Sequence, residues 1–208
     1  MTHAPPDRFA SLQRRYQERD LPWDLPLPPP EIITLAEHLP PGRALDLGCG
    51  VGRTCMYLAA AGWTVDGVDF VPEAITLAAE RVAQASMTER VRLFHASVTA
   101  MPFLSEPYDL AIDIGCMHAL TGDDLHAYAN EVARLVRPGG LYVLFAHVRD
   151  HAEADVPVSI PRPVLLNLFT ATFTLEQVVE GETTVADQRW ASAWLYLRRA
   201  EGSSRAEG

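Results

Sequence analysis

The chain has 208 residues, 48% of them apolar and 21% charged. That is ordinary globular usage, long enough for one large domain or two small ones, and it excludes a disordered, collagen-like or disulfide-framed chain. The net charge is −10, and all 17 basic side chains are Arg, so a Lys Schiff base and a P-loop Lys are ruled out and a phosphate backbone is repelled.

Residues 1–30 form an arm. Pro5, Pro6, Pro22, Pro26 and Pro28 to Pro30 break any long element. Phe9, Leu12 and Tyr16 fall near helical spacing and predict one short amphipathic helix. The arm also carries Leu21, Trp23 and Leu25. A free tail would not need these apolar residues, so the arm is expected to dock on the body and cover its site.

From residue 31 strands and helices alternate. Glu31–Leu39 predicts a helix, Ala44–Leu47 a strand, Arg53–Ala61 a helix stopped by Gly62, Thr64–Val68 a strand and Pro72 to about Ala85 a helix. Val91–His95 and Tyr108–Ile114 predict two more strands. Asp123–Val136 predicts a helix with acidic residues in its first turn, ending at Arg137-Pro138-Gly139-Gly140, and Leu141–His147 follows as a fifth strand. Pro163–Phe169 suits a short helix, and Phe173–Glu180 with Ala191–Arg198 a closing hairpin. The pattern predicts an α/β fold: a doubly wound, seven-stranded, mostly parallel sheet with an antiparallel last strand. One domain over 31–198 and a frayed tail over 199–208 complete the expected organisation.

Cys49, Cys55 and Cys116 form neither a CxxC pair nor a zinc spacing, which suits a reducing cytoplasm. The first residues lack the n- and h-regions of a secretory signal, and no apolar run approaches the ~18 residues of a membrane span. Arg- and Ala-rich, Lys-free usage points to a GC-rich bacterial genome.

The strongest local signal is Ala44-Leu45-Asp46-Leu47-Gly48-Cys49-Gly50-Val51-Gly52-Arg53, a glycine loop between a strand and a helix. That is where α/β sheets bind ligands. A dinucleotide loop reads G-x-G-x-x-G; here Arg53 stands where its third Gly would be. Asp46, two residues before Gly48, would repel a pyrophosphate and attract an ammonium or sulfonium. The loop therefore suits a cationic ligand without phosphates. Asp69 ends the second strand about 20 residues further on, where an acidic side chain takes ribose hydroxyls. The competing reading makes Asp69 a cap for the helix at Pro72. Phe70 can cover one face of an adenine.

With DLGCGVGR, VDGVDF, HASVTAMPF, YDLAIDIGCMHAL and RPGG in place, the chain resembles the class I S-adenosylmethionine-dependent methyltransferases over about residues 31–198. The resemblance implies S-adenosyl-L-methionine as cofactor. It puts the methionine part on Gly48, Gly50 and Gly52 with Asp46 in support, the ribose on Asp69, and the adenine against Ser97 and Val98. Ser97 departs from the Asp that many members carry there. A narrower resemblance rests on Pro22-Trp23-Asp24, Asp113-Ile114-Gly115-Cys116-Met117-His118-Ala119-Leu120 and Ala193-Trp194-Leu195-Tyr196. It is to the thiopurine, tellurite-resistance and thiol or halide methyltransferases. It implies Asp113 near the cofactor's amino acid end; the alternative is that Asp113 caps the turn at Gly115.

Methyl transfer from a sulfonium is an in-line displacement with a neutral leaving group. The protein mainly supplies proximity and alignment. His118 is the expected base or acceptor contact, with His147 and Asp150 second. Trp23 and Cys116 are expected to line the acceptor site. His147-x-x-x-His151 with Asp150 and Asp155 is not expected to hold a metal. The expected partner is a small-molecule acceptor, with neither nucleic acid nor membrane, on a monomer or weak homodimer. A soft sulfur or chalcogen nucleophile is the leading acceptor. The alternatives are O- or N-methylation with His118 as base, a non-catalytic cofactor-binding module, an aminopropyl transferase and a macromolecule methyltransferase.

Overall fold

The computed structural model describes residues 8–117, 120–149, 159–185 and 188–201. Packing groups the chain into two compact units, Met1–Ser97 and Val98–Gly208.

The first unit contains α1 (Arg8–Glu18), α2 (Pro30–His38), β1 (Arg43–Leu47), α3 (Arg53–Ala60), β2 (Thr64–Asp69), α4 (Pro72–Gln84) and β3 (Val91–His95). Pro30 and Pro72 each stand at the start of a helix, where a missing N–H costs nothing. The strands run parallel in the order β3-β2-β1, with Leu45 opposite Asp66 and Asp69 opposite His95. Both β1 and β2 are buried along nearly their whole length. Their apolar runs therefore lack the period-2 alternation of a one-sided sheet. Ile32, Leu45, Leu58, Trp63 and Val68 fill the core. The buried charge of Asp66 in mid-strand is met by Arg92 at 2.6 Å through two nitrogens and by Arg43 at 3.3 Å. Such a group is tolerated in a core only when paired.

The predicted arm helix is α1. Its Tyr16 packs into a cluster with Val51, Val71 and Ala74, flanked by Leu12, Leu21 and Leu77. Gln13 and Gln17 both donate to Oε1 of Glu73, at 2.8 and 2.7 Å. The arm thus docks on α4 by an apolar stripe and two amides. The side chain of Phe9 lies outside the described residues.

The second unit contains β4 (Tyr108–Ile114), α5 (Asp123–Leu135), β5 (Val136–Arg149), β6 (Ile160–Pro161), α6 (Arg162–Phe169), β7 (Phe173–Val185) and β8 (Gln188–Arg199). Its order is β4-β5-β8-β7, with β6 alongside β5. β4 and β5 are parallel, and β8 is antiparallel to both β5 and β7. The expected mixed α/β class, with parallel strands and an antiparallel last strand, is what the chain adopts.

Three details differ from the sequence-based expectation. The described residues hold an eighth strand, the two-residue β6, too short to announce itself by periodicity. β5 begins at Val136 and carries Arg137-Pro138-Gly139-Gly140 within it, with a register shift between Tyr108 and Leu110 on β4. A side chain at Gly140 would stand 2.8 Å from the Arg137 carbonyl oxygen, so the crossing chain needs glycine there. The hairpin strands are longer than their apolar stretches. Polar Thr183 and Ser192 bond at 3.0 Å, Glu182 pairs with Arg189, and strand pairing carries through Gly181. Cross-strand partners extend a ladder that propensity alone would stop.

Candidate active site

In the first unit the glycine loop leaves β1 and is tied back to β2: Gly48 N–H and Cys49 N–H both donate to the Val68 carbonyl, at 2.8 and 3.1 Å. Gly50 and Gly52 have φ of 54° and 77°, a left-handed backbone that L side chains avoid. A Cβ on Gly52 would stand 3.2 Å from the Ala78 Cβ, and one on Gly50 3.1 Å from the Tyr16 hydroxyl. The loop is pressed between α4 and the arm.

Asp46 is 3% exposed and accepts a bond from the Cys55 thiol at 3.2 Å. Burial pushes its carboxyl up to about 6, with the Asp69 charge adding to the effect and the Cys55 thiol opposing it. Cys49 is the thiol neighbour of Cys55. A side chain at Gly67 would meet Cys55 Sγ at 2.8 Å and Cys49 Sγ at 3.0 Å, so glycine makes room for both. Both cysteines are free and buried. Cys49 and burial push the Cys55 thiol well up, which makes it an inert donor rather than a nucleophile.

Asp69 is buried at the end of β2. Its Oδ2 accepts Gly50 N–H and its Oδ1 accepts Val71 N–H, each at 2.9 Å. Val71 is the N-cap residue of α4, and the helix has no side-chain cap bond, so Asp69 fixes the turn leading into α4 rather than capping the helix. The same carboxylate also holds the glycine loop. Burial pushes its pKa up, against the pull of these backbone bonds. An ionised carboxylate offers about four lone-pair sites, so these two bonds do not exhaust it. Phe70 follows, partly exposed at 38%, and Ser97 is exposed at the end of the unit.

Tyr16 is the residue whose place the sequence did not announce. Its hydroxyl lies over Gly50, and burial, followed by the Asp69 charge, pushes its pKa up. Trp23 packs edge-on against Tyr16 at 6.1 Å, with the Arg15 guanidinium 5.8 Å from its ring centre.

In the second unit Val98 is buried. Asp113 is fully buried at the end of β4, where Oδ1 accepts Cys116 N–H at 2.7 Å. Its Oδ2 accepts Met117 N–H at 2.9 Å and the Tyr128 hydroxyl at 2.7 Å, and Tyr128 meets the Tyr142 hydroxyl at 2.8 Å. The turn-capping reading of Asp113 describes these contacts. Tyr128 and Tyr142, pushed well up mainly by burial, are partners that no motif signalled. Cys116 is half-buried. His118, Asp150, His151 and Asp155 lie outside the described residues.

His147, near the end of β5, stands opposite Ser192 of β8. Its ring stacks on Trp190 at 5.7 Å and 10°, with Phe145 edge-on at 5.7 Å, and Phe145 lies 5.1 Å from Trp194. Long-range strand pairing assembles this aromatic group. Among the described residues no cluster of three or more His, Cys, Asp or Glu side chains is set to hold a metal, and no helix is long and apolar enough to cross a membrane.

A methyltransferase domain model matches residues 44–140. The 2-heptyl-1-hydroxyquinolin-4(1H)-one methyltransferase of Mycobacteroides abscessus is 28% identical over 185 residues, 86% of this chain and 81% of its own. The chain is thus similar to the class I S-adenosylmethionine-dependent methyltransferases, with the methyltransferase domain itself matched over residues 44–140. A structure from work on the conversion of a disulfide bond into a thioacetal group during echinomycin biosynthesis superposes with a TM-score of 0.70 at 28% identity, covering 88% of this chain and 87% of that one. The Burkholderia thailandensis 1,6-didemethyltoxoflavin-N1-methyltransferase, bound to S-adenosylhomocysteine, superposes with a TM-score of 0.72 at 24% identity, covering 97% and 93%. The chain therefore has the Rossmann-like methyltransferase fold, and the matched methyltransferase domain implies S-adenosylmethionine as its cofactor. The first unit's chemistry fits that cofactor. Asp46 and Asp69 are buried carboxylates, both pushed toward protonation. A sulfonium or ammonium would supply the cationic partner that favours their charged forms.

Proposed function

We propose that this methyltransferase methylates a small molecule at a soft sulfur or chalcogen atom. The cofactor supplies an electrophilic methyl group on sulfur. Gly48, Gly50 and Gly52 with Asp46 would hold its methionine part, Asp69 its ribose, and Phe70, Ser97 and Val98 its adenine. Asp113 would act through the turn it caps, presenting Cys116 and the residues after it. Trp23, Cys116 and His118 would contact the acceptor, and His118 and His147 would handle its proton. The arm over residues 1–30 would cover the site.

The observation that carries the soft-acceptor reading is the aromatic group at the carboxyl end of β5: Phe145, His147, Trp190 and Trp194. Ligands of open α/β sheets bind at that end of the strands. A polarisable wall suits a large, soft sulfur or chalcogen atom, and a thiol, with a solution pKa near 8.5, loses its proton more readily than an alcohol or phenol. The relative connected with thioacetal formation points the same way. The relatives named for a hydroxyquinolinone and a toxoflavin precursor favour a second reading, O- or N-methylation of a heteroaromatic with His118 as base.

A panel of thiols, chalcogen oxyanions, halides, phenols and hydroxyquinolinones, scored by S-adenosylhomocysteine release, decides between them. On the soft-acceptor reading thiols turn over and phenols do not. His118→Ala then costs less than the ~10²–10⁴ of a true general base, and the loss shrinks as pH passes about 8.5. Methylation of phenols or hydroxyquinolinones alone, or a His118→Ala variant dead at every pH, establishes the second reading.

A further inference from the structure

Pro22-Trp23-Asp24 does more in the first unit than attach the arm. Both terminal nitrogens of Arg81 grip Asp24, at 2.9 and 2.6 Å. Arg53, the residue after the glycine loop, donates to the Trp23 carbonyl at 2.9 Å. Asp24, Arg53 and Arg81, with Leu25, Met56 and Tyr57, line a cavity of about 410 Å³. That lies within the ~300–1,000 Å³ of small-molecule pockets.

Its charge is unlike that of the rest of the chain. The Arg81–Asp24 pair is neutral as a unit. Among the described residues Arg53 makes no ion pair, and its hydrogen bond goes to a neutral carbonyl. Partial burial pulls its pKa down, with Asp24 opposing that pull. The lining therefore carries one positive charge in a protein of net charge −10. Much of the remaining wall is apolar, and Leu25 is 60% exposed toward solvent. Guanidinium groups recognise planar anions through paired N–H donors.

We propose that this cavity binds an amphipathic monocarboxylate, with its headgroup on Arg53 beside the Arg81–Asp24 pair and its apolar body along Met56 and Leu25. A single negative charge balances the lining. A dianionic phosphate would exceed it and face Asp24. The cavity lies wholly within the first unit, and its occupation does not depend on the acceptor assigned above.

Calorimetric titration of the full chain with octanoate, octan-1-ol and inorganic phosphate tests the assignment. Octanoate binds, octan-1-ol binds at least tenfold more weakly, and phosphate binds more weakly than octanoate. Arg53→Gln loses about 10- to 100-fold in octanoate affinity, the range for a hydrogen bond to a charged group. Met56→Trp fills the cavity and abolishes binding while the variant still melts cooperatively. Absence of heat at millimolar octanoate, equal affinity for the alcohol, tighter binding of phosphate, or octanoate binding by Met56→Trp as by the wild type overturns the proposal. If Arg53→Gln does not fold, the alcohol comparison and Met56→Trp decide it.

Discussion

Replacing Asp46 by Asn should make the cofactor-free protein more stable at neutral pH and a poorer binder of S-adenosylmethionine. Asp46 has its pKa raised from 3.8 to about 6, chiefly by burial. Its unfolded-state value is lower, so between about pH 4 and pH 6 the native state holds a proton that the unfolded chain has released. Ionising it in place therefore penalises folding. The penalty is absent below about pH 4 and complete above about pH 6. A rise of about two units corresponds to about 3 kcal/mol. Asn keeps the shape and an oxygen for the Cys55 thiol but adds an amide that needs an acceptor, which reduces the net gain to about 1–3 kcal/mol. For a chain of this size that is about 2–12 °C in melting temperature. Melting curves of wild type and Asp46→Asn from pH 4 to pH 8 measure it. The variant should melt higher at pH 7.5, and the gap should close as the pH falls to about 4 because only the wild type gains by taking up a proton. Titration with S-adenosylmethionine at pH 7.5 should show at least tenfold weaker binding by the Asp46→Asn variant, since the lost charge no longer offsets the cofactor's cation. A variant that melts lower at pH 7.5, or a gap that does not vary with pH, would show that burial is not straining this carboxylate.

Asp69→Ala should weaken S-adenosylmethionine binding at least tenfold, because each charge-assisted bond removed is worth about 1.5–3 kcal/mol. It should also lower stability by about 1–3 kcal/mol, because the Gly50 and Val71 N–H groups lose their acceptor; calorimetry and melting separate the two effects, and an unchanged dissociation constant would leave Asp69 a tie for these two turns alone. Removing residues 1–25 should abolish acceptor turnover and also lower cofactor affinity, because Tyr16 lies on Gly50. Equilibrium binding and a labelled-methyl assay on the truncated enzyme check this, and full activity would reduce the arm to a tail. Tyr128→Phe removes a 2.7 Å bond to the buried Asp113 carboxylate and should cost about 1.5–3 kcal/mol in a denaturant titration; a cost near zero would mean that the Cys116 and Met117 N–H groups suffice.

The order of strands and helices, the glycine loop and the acidic end of β2 were decided by the sequence itself. Prolines at the helix starts, apolar runs too short for helices and glycines at left-handed positions act locally, and local physics is written residue by residue. The amphipathic spacing of Leu12 and Tyr16 likewise announced α1. Where those elements press on one another could not be read in the same way. That Tyr16 closes on Gly50, that Gly67 leaves room for two thiols, and that Trp190 stacks on His147 all depend on contacts between residues far apart in the chain. The double role of Asp69, tie for the turn before α4 and anchor for the loop, exists only once β1 and β2 are paired. Asp113 carries the same lesson. Its motif position suggested the cofactor's neighbourhood, whereas Tyr128, 15 residues away on α5, is what completes its hydrogen bonds in the fold. Burial and electrostatics are properties of an environment, and that environment is assembled by tertiary contacts, so the raised pKa of Asp46 and the single positive charge beside Arg81 and Asp24 were decided there.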